Sequence, residues 1–244
     1  MKSSLINIDK LSLSFGNKRV LKDLDLQVGK GESLVIIGGS GEGKSVLLKC
    51  ILGLLHQDSG SINFMGAKII GENKQQFLSQ FGMLFQGAAL FDSMPVWENI
   101  SFRYKYSKMF TKTERKDLAK EKLALVGLSE NTADLFPAEL SGGMQKRVGI
   151  ARAIASNPKI LFFDEPTSGL DPRMAHNINK LLQDIIIKLS ATTVTITHDV
   201  SSVKALADKV ALLESGSIAW QGKTNEFNST DHPNVSQFKN PSSF

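Results

Sequence analysis

The sequence of 244 residues predicts an α/β fold with a mainly parallel sheet. Short apolar runs, typical of buried strands, alternate with longer segments in which apolar residues follow helical spacing. A glycine-rich octet at 38–45 stands between one such strand and a helix, and an apolar run at 160–163 ends in two acidic residues. The length is sufficient for one large domain, or for a core with a subdomain.

The individual elements are predicted from apolar spacing and turn residues. Residues 5–28 alternate apolar and polar side chains around a turn at Gly16 and Asn17, which indicates two or three strands. Pro172 begins a helical pattern, a position that proline favours. Further strands are expected at 34–37, 61–66, 81–85, 159–163 and 192–197, helices at 46–52, 172–189 and 201–207, a mainly helical stretch at 95–157, and a hairpin at 210–220.

Composition limits the classes of protein that remain. Hydrophobic residues make up 41% and charged residues 22%, which is ordinary for a globular protein. The net charge is +5, but the basic residues are spread along the chain, and the densest stretch at 112–122 mixes both signs. No apolar run approaches the roughly 20 residues that cross a bilayer, and the first ten residues lack the apolar core of a signal peptide.

Cysteine and histidine usage adds little chemistry outside the motifs described below. Cys50 is the single cysteine, so no intrachain disulfide can form, which is consistent with a reducing compartment. Its apolar neighbours predict a buried, inert thiol. Other side chains stand outside any motif: we expect His56, His176 and His232 at the surface and Trp97 and Trp220 in packing.

The octet at 38–45 matches the phosphate-binding pattern G-x-x-x-x-G-K-[ST]. Its glycines let main-chain N–H groups surround an anion, and the dipole of the following helix, which begins near Val46, adds positive potential. Lys44 is predicted to reach the β- and γ-phosphates, and the Ser45 hydroxyl to hold Mg²⁺. The alternative is an ordinary glycine-rich turn. The residues are Gly38, Gly39, Ser40, Gly41, Glu42, Gly43, Lys44 and Ser45.

Two acids follow the apolar run at 160–163. Asp164 stands where an acid at a strand tip can hold the Mg²⁺ shell of a bound nucleotide. Glu165 follows it, nearer to the γ-phosphate, and could polarise an attacking water. Taken alone the pair would be a polar strand end, but with the octet at 38–45 it indicates phosphate chemistry.

The segment Leu140-Ser141-Gly142-Gly143-Met144 resembles the signature motif of ATP-binding cassette (ABC) ATPases, which is LSGGQ in most members. The three central residues open a helix whose N–H groups and dipole could face a phosphate. The alternative is a glycine-rich helix cap without a ligand. The resemblance implies that Ser141, Gly142 and Gly143 serve the ATP held by a partner protomer, in a head-to-tail homodimer that encloses two nucleotides.

The resemblance to ABC ATPases extends through nearly the whole chain and assigns further roles. It implies that Phe15 stacks on adenine, that Gln86 senses Mg²⁺ and faces a transmembrane partner, and that His198 contacts the γ-phosphate. Residues 168–171 match the segment called the D-loop. Gly39 stands where many cassettes have proline, which adds flexibility without removing a ligand. The implied cofactors are ATP and Mg²⁺.

The resemblance also implies the domain organisation. Residues 1–228 would form one cassette, in which a mainly parallel core carries an antiparallel β subdomain and a helical subdomain inserted at about 88–157. Residues 229–244 would be a polar tail, extended over the surface or mobile. A cassette of this class works with a dimer of an integral-membrane permease.

Three features are similar to the Mla/Mkl subgroup, which serves lipid-trafficking transporters with MCE-domain proteins. They are the segment 83–100 around and after Gln86, where the permease of an ABC transporter docks, Met144 in place of the usual glutamine, and the tail at 231–238. This similarity implies phospholipid trafficking between inner and outer membranes, with an MCE-domain protein and a small STAS-like regulatory subunit as partners. The chain would lie peripherally on the cytoplasmic face of the bacterial inner membrane.

Three rival interpretations stay open at the level of sequence. One is the ATPase subunit of a polar-solute importer of the amino-acid type, although 88–96 fits it less well. Another is an ABC ATPase that acts on ribosomes or DNA, but the chain has one cassette and lacks coiled-coil heptads and cysteine clusters, so no nucleic-acid partner is expected. A P-loop kinase is disfavoured by the motif at 140–144.

Overall fold

The computed structural model describes residues 4–69 and 71–239. Within these ranges the strands are β1 (Ser4–Phe15), β2 (Lys18–Gly29), β3 (Ser33–Ile37), β4 (Ser59–Phe64), β5 (Ala67–Lys68), β6 (Phe81–Leu84), β7 (Ile160–Asp164), β8 (Thr192–Ile196), β9 (Lys209–Glu214) and β10 (Ser217–Lys223). The helices are α1 (Lys44–Ile51), α2 (Gly71–Gln80), α3 (Val96–Ile100), α4 (Lys112–Leu125), α5 (Gly142–Ala153), α6 (Pro172–Leu189), α7 (Val200–Leu206), α8 (Thr224–Ser229) and α9 (Pro233–Lys239).

The chain divides into two compact units. The first unit comprises Met1–Ser79 and Thr192–Phe244, and the second comprises Gln80–Ala191. The second unit is larger than the insertion predicted at about 88–157, because it also contains strands β6 and β7 and helix α6. The boundaries of the helical subdomain therefore stay a prediction.

The first unit contains an antiparallel sheet and a set of mainly parallel strands. The antiparallel sheet has the strand order β2-β1-β4-β5. Strand β3 pairs in parallel with both β8 and β9, and β10 is the antiparallel partner of β9. These pairings confirm the predicted α/β class with parallel strands and an antiparallel β region.

Burial explains why these strands form as predicted. In β1 and β2 apolar side chains are buried among exposed polar ones, which is the pattern of a sheet with one covered face. Every residue of β3 is buried, as expected for a strand covered on both faces. Gly16 closes the β1–β2 hairpin with φ +56°, a conformation that glycine adopts without steric cost.

The second unit places helix α5 against strand β6 through two glycines. A Cβ on Gly82 would overlap the carbonyl oxygen of Ala153, and a Cβ on Gly149 would lie 2.8 Å from Leu84 Cδ1. These close approaches fix α5 beside the parallel pair of β6 and β7. Helix α6 begins at Pro172 and ends at Leu189, as the sequence predicts, and the Asp171 side chain caps it by accepting a hydrogen bond from Met174 N at 2.9 Å.

The prediction of an extended or mobile tail at 229–244 is wrong for 233–239, which form helix α9. Val235 is fully buried, and the ring of Phe238 packs edge-on to Phe227 with centroids 6.5 Å apart. Lys239 Nζ donates to the carbonyl oxygens of Phe227 and Thr230, at 3.2 and 3.0 Å. The sequence of this segment is mostly polar, so it did not predict these contacts. Residues 240–244, also part of that prediction, lie outside the described residues.

Most of the isolated side chains lie where the sequence predicts. Cys50 and Trp97 are buried, and His56 and His176 are exposed. His232, in the short segment that links α8 and α9, is half-buried rather than exposed. No helix in 4–69 or 71–239 is long and apolar enough to span a bilayer.

Candidate functional site

The predicted phosphate loop lies between β3 and α1 in the first unit. Strand β3 ends at Ile37, and Gly43, with φ +100°, precedes the first residue of α1, Lys44. Lys44 is almost completely buried, and its Nζ donates to the carbonyl oxygens of Gly38 and Gly39 at 2.9 and 2.7 Å. The ammonium is therefore held inside the curve of the loop, where an anion would meet it.

Close packing against the rest of the first unit fixes the loop. A Cβ on Gly38 would overlap the carbonyl oxygen of Leu213, and a Cβ on Gly43 would lie 3.1 Å from Val20 Cγ1. The carboxylate of Glu42 accepts a hydrogen bond from Ser215 N in the β9–β10 turn. The side chain of Glu42 thus anchors the loop, while the exposed Gly39, Ser40, Gly41 and Ser45 leave one side of the loop open.

His198 emerges at the same sheet edge as the phosphate loop. Strands β3 and β8 are parallel with Ile36 opposite Ile196, so the residues after each strand leave the sheet on one side. The side chain of His198 is exposed there. Asp199 then caps α7, accepting hydrogen bonds from the backbone amides of Ser201 and Ser202 at 2.9 and 3.1 Å. The structure therefore brings His198 and Lys44 to one edge of the first unit.

Phe15, predicted to stack on adenine, ends strand β1 beside the hairpin turn. Its side chain is 51% exposed. Phe15 is therefore not a core residue. An exposed aromatic ring offers a face to a planar base, so stacking stays the prediction for this residue.

In the second unit, Gln86, Asp164 and Glu165 share an edge. Strands β6 and β7 are parallel with Leu84 opposite Phe163, so the residues that follow each strand leave the pair on the same side. Gln86 is exposed, and the two acids are half-buried. This is the edge at which ligands bind in open parallel sheets.

The main chain turns sharply at Glu165, which has φ +48°. The carbonyl oxygen of Glu165 accepts hydrogen bonds from Ser168 N at 3.2 Å and from Lys146 Nζ at 3.4 Å. Lys146 is only 5% exposed. Burial lowers the pKa of Lys146, and the neighbouring carboxylates of Glu165 and Asp164 oppose that shift.

The buried position of Lys146 was not predicted from the sequence. Helical spacing could have revealed it, because Gly143, Lys146, Ile150 and Ala153 form one buried stripe of α5. A lysine on such a stripe is unusual, since lysine is almost never buried without polar partners.

The signature segment forms the N-terminus of α5. Ser141 is the capping residue, and its hydroxyl accepts a hydrogen bond from Met144 N at 3.3 Å. Ser141 and Gly142 are exposed, whereas Gly143 is buried, and a Cβ there would overlap Met174 Cε. The capping geometry is thus present, and the exposed start of the helix is open to an anion.

The donors predicted for Mg²⁺ are the Ser45 hydroxyl, the Gln86 amide and the Asp164 carboxylate. All three supply oxygen, which is the ligand type that Mg²⁺ requires. Ser45 belongs to the first unit and the other two to the second. In the part of the chain that the structure describes, no group of three His, Cys, Asp or Glu side chains could hold a metal ion by itself.

Comparison with known sequences identifies the family. The family described as ABC transporter matches residues 21–168. The chain is 38% identical over 238 residues to the probable ribonucleotide transport ATP-binding protein mkl of Mycobacterium tuberculosis, covering 96% of this chain and 66% of that protein. It therefore spans just under two thirds of the length of that relative.

Two further relatives carry different names. The chain is 40% identical over 243 residues to the methionine import ATP-binding protein MetN of Carboxydothermus hydrogenoformans, covering 97% of this chain and 72% of that protein. It is 37% identical over 253 residues to the protein TRIGALACTOSYLDIACYLGLYCEROL 3, chloroplastic, of Arabidopsis thaliana. This match covers 96% of this chain and 73% of that protein.

A solved structure supports the same fold. The dimeric, post-hydrolysis structure of the ATP-binding cassette MJ0796 bound to ADP and Pi superimposes with a TM-score of 0.79 at 29% identity, covering 90% of this chain and 98% of that one. The predicted fold of an ABC nucleotide-binding domain is thereby confirmed. The chain belongs to the ABC transporter family, and its cassette is an ATPase domain of the kind that such transporters carry.

Proposed function

We propose that this chain binds and hydrolyses ATP as the energy-supplying subunit of a membrane transporter. The observation that carries this proposal is the buried Lys44 ammonium, held inside a glycine loop that is anchored on both sides yet open at its tip. The Lys44 ammonium needs little reorganisation to receive phosphates, because the loop already holds this charge.

Each remaining site residue has a role in this proposal. The Phe15 ring stacks on adenine, and the main-chain amides of 38–46, including Val46, surround the phosphates. The side chains of Ser45, Gln86 and Asp164 hold Mg²⁺, which neutralises charge on the phosphate oxygens when bound. The Glu165 carboxylate orients and polarises the attacking water, and His198 contacts the γ-phosphate.

A second copy of the chain completes each site in this proposal. The exposed N-terminus of α5, at Ser141 and Gly142, is an anion site that its own protomer does not need, because Lys44 already serves one nucleotide. Two copies in head-to-tail arrangement would place this helix end against the partner's ATP. The dimeric form of the related cassette MJ0796 supports a homodimer.

The surface that we propose for a permease dimer is formed by residues 86–100, next to Phe85. Phe85 and Phe91 are 40% and 41% exposed, although large aromatic side chains usually avoid water. The buried Asn99 amide fixes Phe91 and Met94 by three hydrogen bonds of 2.8 to 3.1 Å. Arg152 donates to the carbonyl oxygens of Ala88 and Ala89. A rigid loop that presents aromatic rings suits a partner that must transmit motion.

We further propose that the cargo is phospholipid, moved between inner and outer membranes with an MCE-domain protein and a small STAS-like subunit. The cassette would then lie on the cytoplasmic face of a bacterial inner membrane. The similarity of 83–100 and Met144 to the Mla/Mkl subgroup supports this assignment. So does the likeness to the Arabidopsis protein, whose name contains that of a galactolipid.

A polar-solute importer is the second candidate, favoured by the 40% identity to the methionine import protein MetN. Mass spectrometry of the proteins that co-purify with the tagged chain from its native membrane in mild detergent separates the two. A permease with an MCE-domain protein supports lipid trafficking, whereas a permease with a solute-binding protein contradicts it and supports nutrient import. Recovery of ribosomal or DNA-bound partners without a permease would contradict both.

A further inference from the structure

Lys146 is a buried cation in the second turn of α5, the helix that begins with the signature segment. Removing an ammonium from water costs free energy unless polar partners compensate. Its neighbours on the buried stripe, Gly143 and Ile150, are apolar. The position therefore calls for an explanation beyond helix packing.

The partner of this ammonium is the main chain of Glu165. Lys146 Nζ donates to the Glu165 carbonyl oxygen at 3.4 Å, and the same oxygen accepts Ser168 N at 3.2 Å. These bonds hold the first residue after β7. The ammonium also lies close enough to the Glu165 and Asp164 carboxylates to interact with both charges.

Glu165 needs such support because its backbone has φ +48°. A residue with a Cβ rarely adopts this left-handed conformation, which persists only where the surrounding contacts maintain it. The same rotation sets the direction of the Cα–Cβ bond, and with it the direction of the carboxylate. A hydrogen bond that fixes the carbonyl group of Glu165 therefore also restricts the direction of its side chain.

We propose that Lys146 is a positioning residue for ATP hydrolysis: its ammonium fixes the left-handed main chain at Glu165 and so aims the Glu165 carboxylate at the attacking water. Lys146 itself touches neither nucleotide nor water in this scheme. The inference rests on the proposed catalytic role of Glu165.

The test is steady-state ATP hydrolysis by the chain in its co-purified membrane complex, with Lys146→Met compared to Lys146→Gln. Methionine keeps the unbranched stem but donates nothing, whereas glutamine retains a neutral N–H donor. We expect Lys146→Met to lower kcat about 10- to 100-fold with the KM for ATP changed less than about threefold, because the loss affects the chemical step. Lys146→Gln should recover part of that loss.

Lys122→Met is the matched control for the burial of a lysine. Lys122 is 2% exposed in the same unit, and its Nζ donates to Asn157 Oδ1 at 2.9 Å, with no part in the site. The Lys122→Met variant should have a lower melting temperature and a kcat within about twofold of that of the unchanged protein. A Lys146→Met enzyme that retains kcat, or that loses kcat only as much as Lys122→Met does at equal melting temperature, would overturn the inference.

Glu165→Gln separates this inference from the proposed function. If Glu165→Gln abolishes turnover and Lys146→Met does not, the positioning role fails and the catalytic assignment stands. If Glu165→Gln retains turnover, the catalytic assignment fails first, and the proposal for Lys146 fails with it.

Discussion

The main chain of Gly38 lies so close to that of Leu213 that a Cβ on Gly38 would overlap the Leu213 carbonyl oxygen. Strand β9 therefore limits the first residue of the phosphate loop to glycine. Main chain cannot move aside as a flexible side chain can, so any larger residue must displace the loop itself.

Gly38→Ala should weaken MgATP binding about tenfold or more, because the displaced loop loses the alignment of its N–H donors. Isothermal titration of the purified chain measures this. Gly39→Ala is the matched comparison, since its Cβ would meet Glu42 Cγ at 3.5 Å, an ordinary contact. It should weaken binding much less, and equal losses in the two variants would contradict the account of the loop.

Cys50 should be unreactive in the folded protein. Burial raises the pKa of its thiol to about 11, with the charge of Asp58 adding to the shift, so about one thiol in a thousand is ionised at pH 8. Labelling with a thiol-disulfide reagent at pH 8 should be at least ~100-fold slower in buffer than in guanidinium chloride. Rapid stoichiometric labelling of the native chain would show that α1 opens locally.

Asp199 should make stability depend on pH. Burial raises its pKa, but hydrogen bonds from the hydroxyls and amides of Ser201 and Ser202 lower it by more, so the folded pKa lies below the ordinary value. The charged form therefore contributes stability above a pH of about 4, and this contribution is lost as pH falls through the folded pKa.

Asp199→Ala should thus lower the free energy of unfolding by about 1–2 kcal/mol at pH 7, and by progressively less below about pH 4. Urea titrations at a series of pH values test this. Asp199→Asn retains a capping oxygen, so its free energy of unfolding at pH 7 should fall less than that of Asp199→Ala. If the difference in free energy of unfolding between the unchanged chain and Asp199→Ala is the same at every pH, the stability contributed by the cap does not depend on the charge of Asp199.

Asn99 should be necessary for the rigidity of the surface proposed for the permease. It is fully buried, and its amide fixes the loop at Phe91 and Met94. Asn99→Ala should cost about 2–3 kcal/mol in urea unfolding, because a fully buried side chain is truncated and the main-chain groups of Phe91 and Met94 lose hydrogen bonds. It should also reduce recovery of the permease complex. The exposed Asn131, changed to Ala, should do neither; a similar loss of complex in both would argue against this surface.

Much of the fold could be predicted because its strands and long helices carry clear periodicity. Strand β3 and helix α6 have bounds close to those expected from apolar runs and from Pro172. Helices α2, α8 and α9 were not predicted, because their sequences are mostly polar and each buries few side chains, such as Phe77, Phe227 and Val235. Tertiary contacts stabilise these helices, and a polar sequence alone does not reveal them.

The positions of the predicted site residues were easier to foresee than the contacts that support them. Asp164 ends β7 and Glu165 follows it, as the apolar run with two acids predicts, and Lys44 begins α1 after the glycine loop. His198, which the family resemblance implies, lies just after β8, and the roles of all four residues stay predictions. The contact of Lys146 with Glu165 depends on how α5 packs against β6 and on how the main chain turns after β7. Neither can be predicted from the sequence around one residue.

ATP turnover and ATP binding by Glu165→Gln in the purified complex decide whether Glu165 is the catalytic carboxylate. We expect turnover to fall at least ~100-fold while the affinity for ATP changes little, because glutamine preserves the shape of the side chain but cannot polarise water. A variant that retains most of its turnover would contradict the assignment of Glu165 and the site built around it.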